Sequence, residues 1–250
     1  MSENVKSDSV VIIPTYNEKE NISNIVRAVI RLEHQFDILV IDDNSPDGTA
    51  AIVMGLQNEF PGRVHLVRRA GKLGLGTAYI EGFKWALNNG YEYIFEMDAD
   101  FSHNPNDLIP LYKACAIQGA DMAIGSRYIT GVNVVNWPMG RVLMSYYASA
   151  YVRIITGMSI RDTTAGFVCY RRKVLESISL DEIQFKGYAF QIEMKFRTHE
   201  LGLKIVEVPI IFVNRVLGTS KMDSNIFGEA VFGVIKLKIG SWLGKYSKKS

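Results

Sequence analysis

Two carboxylates stand where an apolar run ends: Tyr93-Ile94-Phe95-Glu96-Met97 leads into Asp98-Ala99-Asp100-Phe101-Ser102-His103. Acidic groups at the exit of a buried strand are costly unless a cation faces them. Hard oxygen donors favour Mg²⁺ or Mn²⁺. A competing reading makes Asp100 or Ser102 the cap of a helix that begins near Pro105. Other charged residues fall at similar places. Tyr16, Glu18, Asp42, Asp43, Lys72 and Arg127 all follow apolar runs. Singly, Glu18 could be a first-turn helix acid and Asp43 or Asp47 could serve a turn. Jointly they suggest one polar rim. Farther on, Arg215 and Lys221 bracket Gly218 in a loop that could clamp a phosphate, unless it is simply a solvated basic loop. His103, alone among the four histidines, falls near this rim, and it reads as a polar loop residue.

The elements that must hold these residues follow from periodicity. Ser9 to Pro14, Ile38 to Ile41, Val64 to Val67, Tyr91 to Met97 and Asp121 to Gly125 read as strands. Amphipathic helices fall between them, and the alternation predicts an α/β fold with a mostly parallel sheet flanked by helices. Ligands of such sheets bind at the carboxyl edge of the strands. After Arg127 the rhythm breaks. Met139 to Gly157 reads either as a helix packed on the sheet or as an interfacial helix, with Arg141 and Arg153 bracketing Tyr146, Tyr147 and Tyr151. A polar turn, Arg161 to Phe167, precedes a strand from Val168 to Tyr170. Phe185 to Glu193 opens a helix with Gln191 and Glu193 near its start. Ile205 to Val213 is extended, and Pro209 argues for an edge or a bulge.

The chain has 250 residues, 48% of them hydrophobic, enough for one catalytic domain, expected over residues 1–225. A net charge of +2 is too small for nucleic acid to be a bulk partner. Residues 226–250 mix apolar side chains with Lys236, Lys238, Lys245, Lys248 and Lys249, as an interfacial or docking helix would. Met1 to Asp8 has no signal-peptide core, so a cytoplasmic location is expected. No apolar run approaches the roughly 20 residues that cross a bilayer. Cys115 and Cys169 sit in apolar surroundings and read as packing residues. The run Gly71 to Gly76 fails the dinucleotide fingerprint, with Tyr79 at the third glycine's place. There is no P-loop and no nucleophile elbow.

Taken together the motifs resemble the dolichol-phosphate (polyprenol-phosphate) mannose synthases, family 2 glycosyltransferases with the glycosyltransferase A fold. The likeness rests on Pro14-Thr15-Tyr16-Asn17-Glu18, Asp42-Asp43-Asn44-Ser45-Pro46-Asp47-Gly48-Thr49, Asp98-Ala99-Asp100 and Gly125-Ser126-Arg127-Tyr128. It continues through Gly187-Tyr188-Ala189-Phe190-Gln191-Ile192-Glu193 and Arg215-Val216-Leu217-Gly218-Thr219-Ser220-Lys221, covering nearly the whole chain in family order. The resemblance implies inverting, metal-dependent transfer of mannose from GDP-mannose to a dolichyl or polyprenyl phosphate, with Mg²⁺ or Mn²⁺. It places the donor site on Pro14, Tyr16, Glu18, Ile41, Asp43, Lys72, Asp98, Ala99, Asp100, Arg127, Gln191, Arg215 and Lys221. Metal falls on Asp98 and Asp100, catalysis on Asp100, Arg127 and Gln191, and the acceptor phosphate near Arg127 and Arg141.

Some members carry a further metal-binding Gln where this chain has Ser102, which shifts reliance to Asp100 and water. Many microbial members append transmembrane helices. This chain resembles the single-domain form, peripheral on the cytoplasmic face of a membrane, which can depend on small membrane partner proteins. The alternatives are UDP-glucose as donor, a nucleotidyltransferase, and a non-catalytic membrane-docking protein.

Overall fold

Short β-branched runs build the sheet of the computed structural model, which describes residues 7–187, 189–214 and 226–246. Strands β1 (Ser9–Thr15), β2 (Asp37–Asp42), β3 (Val64–Arg68) and β4 (Tyr93–Glu96) alternate with helices α1 (Ile22–Ile30), α2 (Thr49–Glu59) and α3 (Leu75–Asn88). Helix α4 (Leu108–Ala116) leads to β5 (Met122–Ser126), then the short β6 (Val134–Val135) and α5 (Met139–Thr156). The chain continues through β7 (Val168–Arg171), α6 (Arg172–Ser177), α7 (Ala189–Glu200), β8 (Ile205–Pro209), β9 (Phe212–Val213) and α8 (Ile226–Trp242).

Seven strands pair in the order β3-β2-β1-β4-β7-β5-β8. Every pairing is parallel except those of β7 with β4 and β5. The carboxyl ends of β1, β2, β4 and β5 therefore share one edge. Because β7 runs the other way, the turn before it reaches that same edge and delivers Asp162, Thr164 and Gly166 there. Side chains alternate across β1: Val10 and Ile12 join the core shared with α3 and α7, while Val11 and Ile13 join the one shared with α1 and α4.

The expected strand from Tyr91 to Met97 is shorter, Tyr93–Glu96. The expected extended run from Ile205 to Val213 divides in two. Its first half, β8, is the sheet's edge and ends at Pro209, where a missing N–H costs no ladder bond. Its second half, β9, leaves to pair with β6 in a separate two-stranded sheet. The glycine run also finds a packing explanation: a Cβ on Gly76 would stand 2.8 Å from the Phe190 ring, so the glycine lets α3 approach α7.

Helix α5 is packed through its C-terminal half, where Ser149, Val152 and Thr156 are buried, while Met139, Leu143, Met144 and Tyr147 remain exposed. Helix α8 lies against α5 and α7. It contributes Val234 and Leu237 to the core, and Tyr246 beyond it is buried as well, yet Phe232 and Trp242 are each 76% exposed.

Candidate active site

The strand ends and the turn before β7 line a cavity that is partly open to solvent. Its walls include Asp98, His103, Arg127, Trp137, Arg141, Thr164, Gly166, Gln191 and Phe212. Four residues predicted far apart in the chain, Asp98, Arg127, Arg141 and Gln191, thus meet in one space. Their elements explain why. Asp98 follows β4 by two residues and Arg127 follows β5 directly, whereas Arg141 lies in the first turn of α5 and Gln191 in that of α7.

Arg127 is buried and held from several sides. Its Nε and Nη2 donate to the two carboxylate oxygens of Asp162 at 2.7 and 2.6 Å, its backbone N–H donates to Oδ2 at 2.9 Å, and Nη2 also reaches Thr164 Oγ1 at 2.9 Å. Burial pushes the Asp162 carboxyl up, but the Arg127 charge and hydrogen bonds outweigh it and the net shift is downward. Trp137 lies between two cations: the Arg127 guanidinium is 5.4 Å from its ring centroid and that of Arg141 is 4.0 Å. Arg141 also donates to Asn214 Oδ1 at 3.3 Å. Such stacking fixes a guanidinium's plane while keeping its charge at the cavity wall.

The turn Asp98 to Ser102 is built around Asp100, which is buried and accepts the Ser102 N–H on Oδ1 at 3.0 Å. Phe101 between them has φ +59°, a left-handed conformation that costs an aromatic L-residue on the order of 1–2 kcal/mol. Neither Asp100 nor Ser102 caps the following helical turn. Asn104 does, its side chain accepting from Asn106 N at 3.1 Å. Of the two acids, Asp98 is therefore the one on the cavity wall, and Asp100 shapes the loop that presents it. Among the described residues no group of three or more His, Cys, Asp and Glu side chains is placed to hold a metal. A pair of carboxylates still suits a small hard cation, which commonly takes its remaining ligands from water and substrate phosphates.

His103 is more than the polar loop residue expected. It is buried, stacked at 4.7 Å on Phe167 and edge-on to Phe212 at 5.3 Å. Burial pushes its pKa from 6.5 down to about 4. Between those values the unfolded chain binds the proton and the folded one does not, so stability falls as pH drops from 6.5 towards 4, by about 3 kcal/mol at most. We expect His103→Phe, which keeps the stacking, to flatten the melting temperature against pH over this window. An unchanged slope would assign the acid sensitivity elsewhere.

Behind the cavity, Gln191 Nε2 donates to Glu96 Oε2 at 2.7 Å, and the buried Lys195 Nζ donates to Gln191 Oε1 at 3.2 Å. Burial pushes Glu96 up to about 8 and Lys195 down to about 8. Glu96, Asp162 and Lys195 were not visible as site residues in the sequence, whereas His103 stood out as the histidine near the expected site and does line the cavity. Of those three, only the spacing of Glu96, two residues ahead of Asp98, offered a signal.

Of the remaining predicted donor residues, Pro14, Tyr16, Glu18, Ile41, Asp43 and Lys72 lie on or just after β1, β2 and β3 and outside this cavity. Lys72 Nζ sits 5.6 Å from the Tyr16 ring centroid, joining two of them. Asp43 is buried with Arg69 Nη1 at 3.2 Å, and burial pushes its pKa up. Glu18 accepts from Asn21, and half-buried Pro14 is the last residue but one of β1. Asp42 and Asp47 are structural: Asp42 takes Thr15 Oγ1, Ser45 N and Ser45 Oγ, and Asp47 takes Lys19 N and Thr49 N. Ile41 and Ala99 are buried, with their side chains in the two cores of the sheet. Tyr188, Arg215 and Lys221 lie outside the described residues.

Residues 10–179 match the family described as glycosyl transferase family 2. The chain belongs to that family. Within family 2 it is 48% identical over 234 residues to a polyprenol monophosphomannose synthase of Mycolicibacterium smegmatis, covering 94% of this chain and 86% of the relative. It is 47% identical to an undecaprenyl-phosphate mannosyltransferase of Micrococcus luteus, covering 93% and 95%. The fold of this family 2 chain is also that of glucosyl-3-phosphoglycerate synthase from Mycobacterium tuberculosis, solved with Mn²⁺ and UDP (TM-score 0.65, 18% identity, 96% and 81% covered). A mannosyltransferase of Pyrobaculum calidifontis, solved with GDP-mannose and Mn²⁺, shares the fold too (TM-score 0.58, 16% identity, 96% and 65% covered).

Proposed function

We propose that this family 2 enzyme transfers mannose from GDP-mannose to the phosphate of a polyprenyl lipid. The observation that carries the reading is the meeting of Asp98 with Arg127 and Arg141 in one cavity, which provides an acidic wall for a metal-bound diphosphate and a basic wall for a second phosphate. The two curated relatives, both named for mannosyl transfer to polyprenol, supply the substrate class.

An acceptor phosphate monoester has a second pKa near 6 and is already largely anionic at neutral pH. The nucleophile needs little help from a base, so the chain's task is positioning and charge. Arg141, stacked on Trp137, and Arg127, oriented by Asp162, hold the acceptor phosphate against the repulsion of the donor diphosphate. Asp98, with Asp100 behind it, would hold Mg²⁺ or Mn²⁺; bound there, the ion supplies Lewis-acid stabilisation of the charge left on GDP. Tyr16, Lys72 and Asp43 flank the nucleoside side of the edge. The decisive assay offers the purified protein a polyprenyl phosphate, a divalent metal and a panel of nucleotide sugars. Transfer from GDP-mannose that stops with EDTA is expected. Equal or faster transfer from UDP-glucose would overturn the donor, and pyrophosphate release from a nucleoside triphosphate would overturn the reaction type.

The acceptor's chain stays in a bilayer, since each buried methylene contributes about 0.8 kcal/mol. Among the described residues no helix is long and apolar enough to cross a membrane. Helices α5 and α8, which pack together, offer an apolar outer face instead: Met139, Leu143, Met144 and Tyr147 on one, Phe232, Ile239 and Trp242 on the other, with Leu243 just beyond. Arg141 lies at the start of this face and lines the cavity, so attachment to the cytoplasmic face of a membrane brings the site to the lipid's phosphate. Truncation after Ile235 would remove the buried Leu237 and Tyr246, so substitutions are the cleaner test. Phe232→Ser/Trp242→Ser/Leu243→Ser is expected to reduce binding to anionic liposomes and activity on long-chain acceptors, while activity on a short, water-soluble polyprenyl phosphate survives. Undiminished liposome binding would eliminate this face as the anchor.

A further inference from the structure

Helix α7 is buried on almost every side, and yet its second turn carries a lysine, fully buried, that touches no solvent. The Lys195 ammonium has three protons and no acceptor. It spends them on three oxygens: the Ala165 carbonyl at 2.6 Å, the Gln191 side-chain oxygen at 3.2 Å and the Gln191 carbonyl at 3.3 Å. At the other end of the same amide, Gln191 Nε2 donates to Glu96 Oε2 at 2.7 Å. An amide has two nearly equivalent orientations, distinguished only by what its partners accept or donate. Lys195 makes the choice, because an ammonium can only donate: turning the amide over would set its NH₂ group against the ammonium and lose that bond, and with the oxygen so held Nε2 is the atom that meets Glu96 Oε2.

The consequence is felt in the cavity. Gln191 lines it together with Ala165 and Gly166. A Cβ on Gly166 would have Gln191 Nε2 as its neighbour at 3.8 Å, so the nitrogen lies on the side of the amide next to that wall. One N–H of Nε2 is engaged by Glu96. The amide carries a second N–H. We propose that Lys195 and Glu96 are positioning residues that fix the Gln191 amide with its nitrogen towards the cavity, making it a hydrogen-bond donor to a hydroxyl oxygen of the transferred hexose. A neutral donor suits a neutral hydroxyl, whereas the anionic phosphates are matched by the guanidinium groups of Arg127 and Arg141 and by a metal at Asp98. Lys195 also ties the Ala165 carbonyl to α7, so a single side chain holds both the amide and the turn beside it. Discrimination between hexoses that differ in one hydroxyl would then depend on a lysine that never touches the sugar.

This inference rests on the glycosyl-transfer reading of the cavity, and the experiment separates the two. The full chain is assayed with a polyprenyl phosphate and with GDP-mannose and GDP-glucose, which differ at one carbon, and the ratio of their kcat/KM values is the readout. Wild type that transfers hexose from neither donor overturns the parent reading and takes this one with it. With active wild type, Lys195→Met/Glu96→Gln, which removes both buried ionisable groups together, is expected to lower the ratio by roughly 10-fold. A purely structural role would lower the melting temperature and yield without moving that ratio. Gln191→Glu keeps the volume and the bond to Lys195 but turns an oxygen to the cavity, and it is expected to lose discrimination by a similar factor. It decides the matter if the double variant does not fold. Retention of the wild-type ratio in a folded variant of either kind overturns the proposal.

Discussion

Asp98→Asn is expected to lower kcat by about 10²–10³-fold and to leave the fold intact. Asp98 follows β4, is only half-buried and faces the cavity, so exchanging an oxygen for a nitrogen at constant volume removes charge where a metal-bound diphosphate would sit. Asp100 provides the contrast. Its carboxylate is buried and closes the loop through the Ser102 N–H, so Asp100→Ala is expected to lose both turnover and about 1–2 kcal/mol of stability. Steady-state rates with and without EDTA, paired with melting curves, distinguish the two substitutions. If Asp98→Asn kept near-normal turnover that EDTA still abolished, the metal would have to be held elsewhere.

Much of this arrangement was legible because it depends on local periodicity. The alternation of β-branched runs with amphipathic helices gave the parallel half of the sheet, and the rule that ligands gather at its carboxyl edge brought Asp98 and Arg127 together. Gln191 and Arg141 entered through motif resemblance and proved to line the same cavity. Asp162 was quoted only as part of a polar turn, since nothing local shows that β7 runs antiparallel and so carries the turn before it to the active edge. Glu96 and Lys195 escaped for a different reason. Polar residues within buried elements break the apolar pattern, and their partners lie 95 and 30 residues away in sequence at Gln191 and Ala165. In α7 the alternation of Gln191, Glu193, Lys195 and Arg197 follows no helical stripe, because the helix is buried all round and each polar head finds its own partner. The division of Ile205 to Val213 between two sheets is likewise a tertiary event: Phe212 leaves the edge to pack on Trp137 and His103 at the cavity.

The pair formed by Arg127 and Asp162 offers the other large effect, and it separates stability from catalysis. Both side chains are buried, with the guanidinium bound through two nitrogens to the carboxylate, so the pair gains its Coulomb energy in exchange for desolvating two ions. Removing one partner leaves the other charge buried and uncompensated, which typically costs about 3–5 kcal/mol. Asp162→Asn keeps an oxygen to receive the Arg127 N–H but removes the charge, so a loss of about 3 kcal/mol is expected, or about 10 °C in melting temperature for a chain of this size. Arg127→Met/Asp162→Asn removes both charges and should regain most of that stability, because buried pairs replaced together are often close to neutral. Turnover should not return with it, since the guanidinium would hold the acceptor phosphate and a thioether cannot. Full melting stability in Asp162→Asn would show that the pair does not anchor this edge of the sheet. Recovered turnover in the stable double variant would remove Arg127 from the reaction and leave the acceptor phosphate to Arg141 alone.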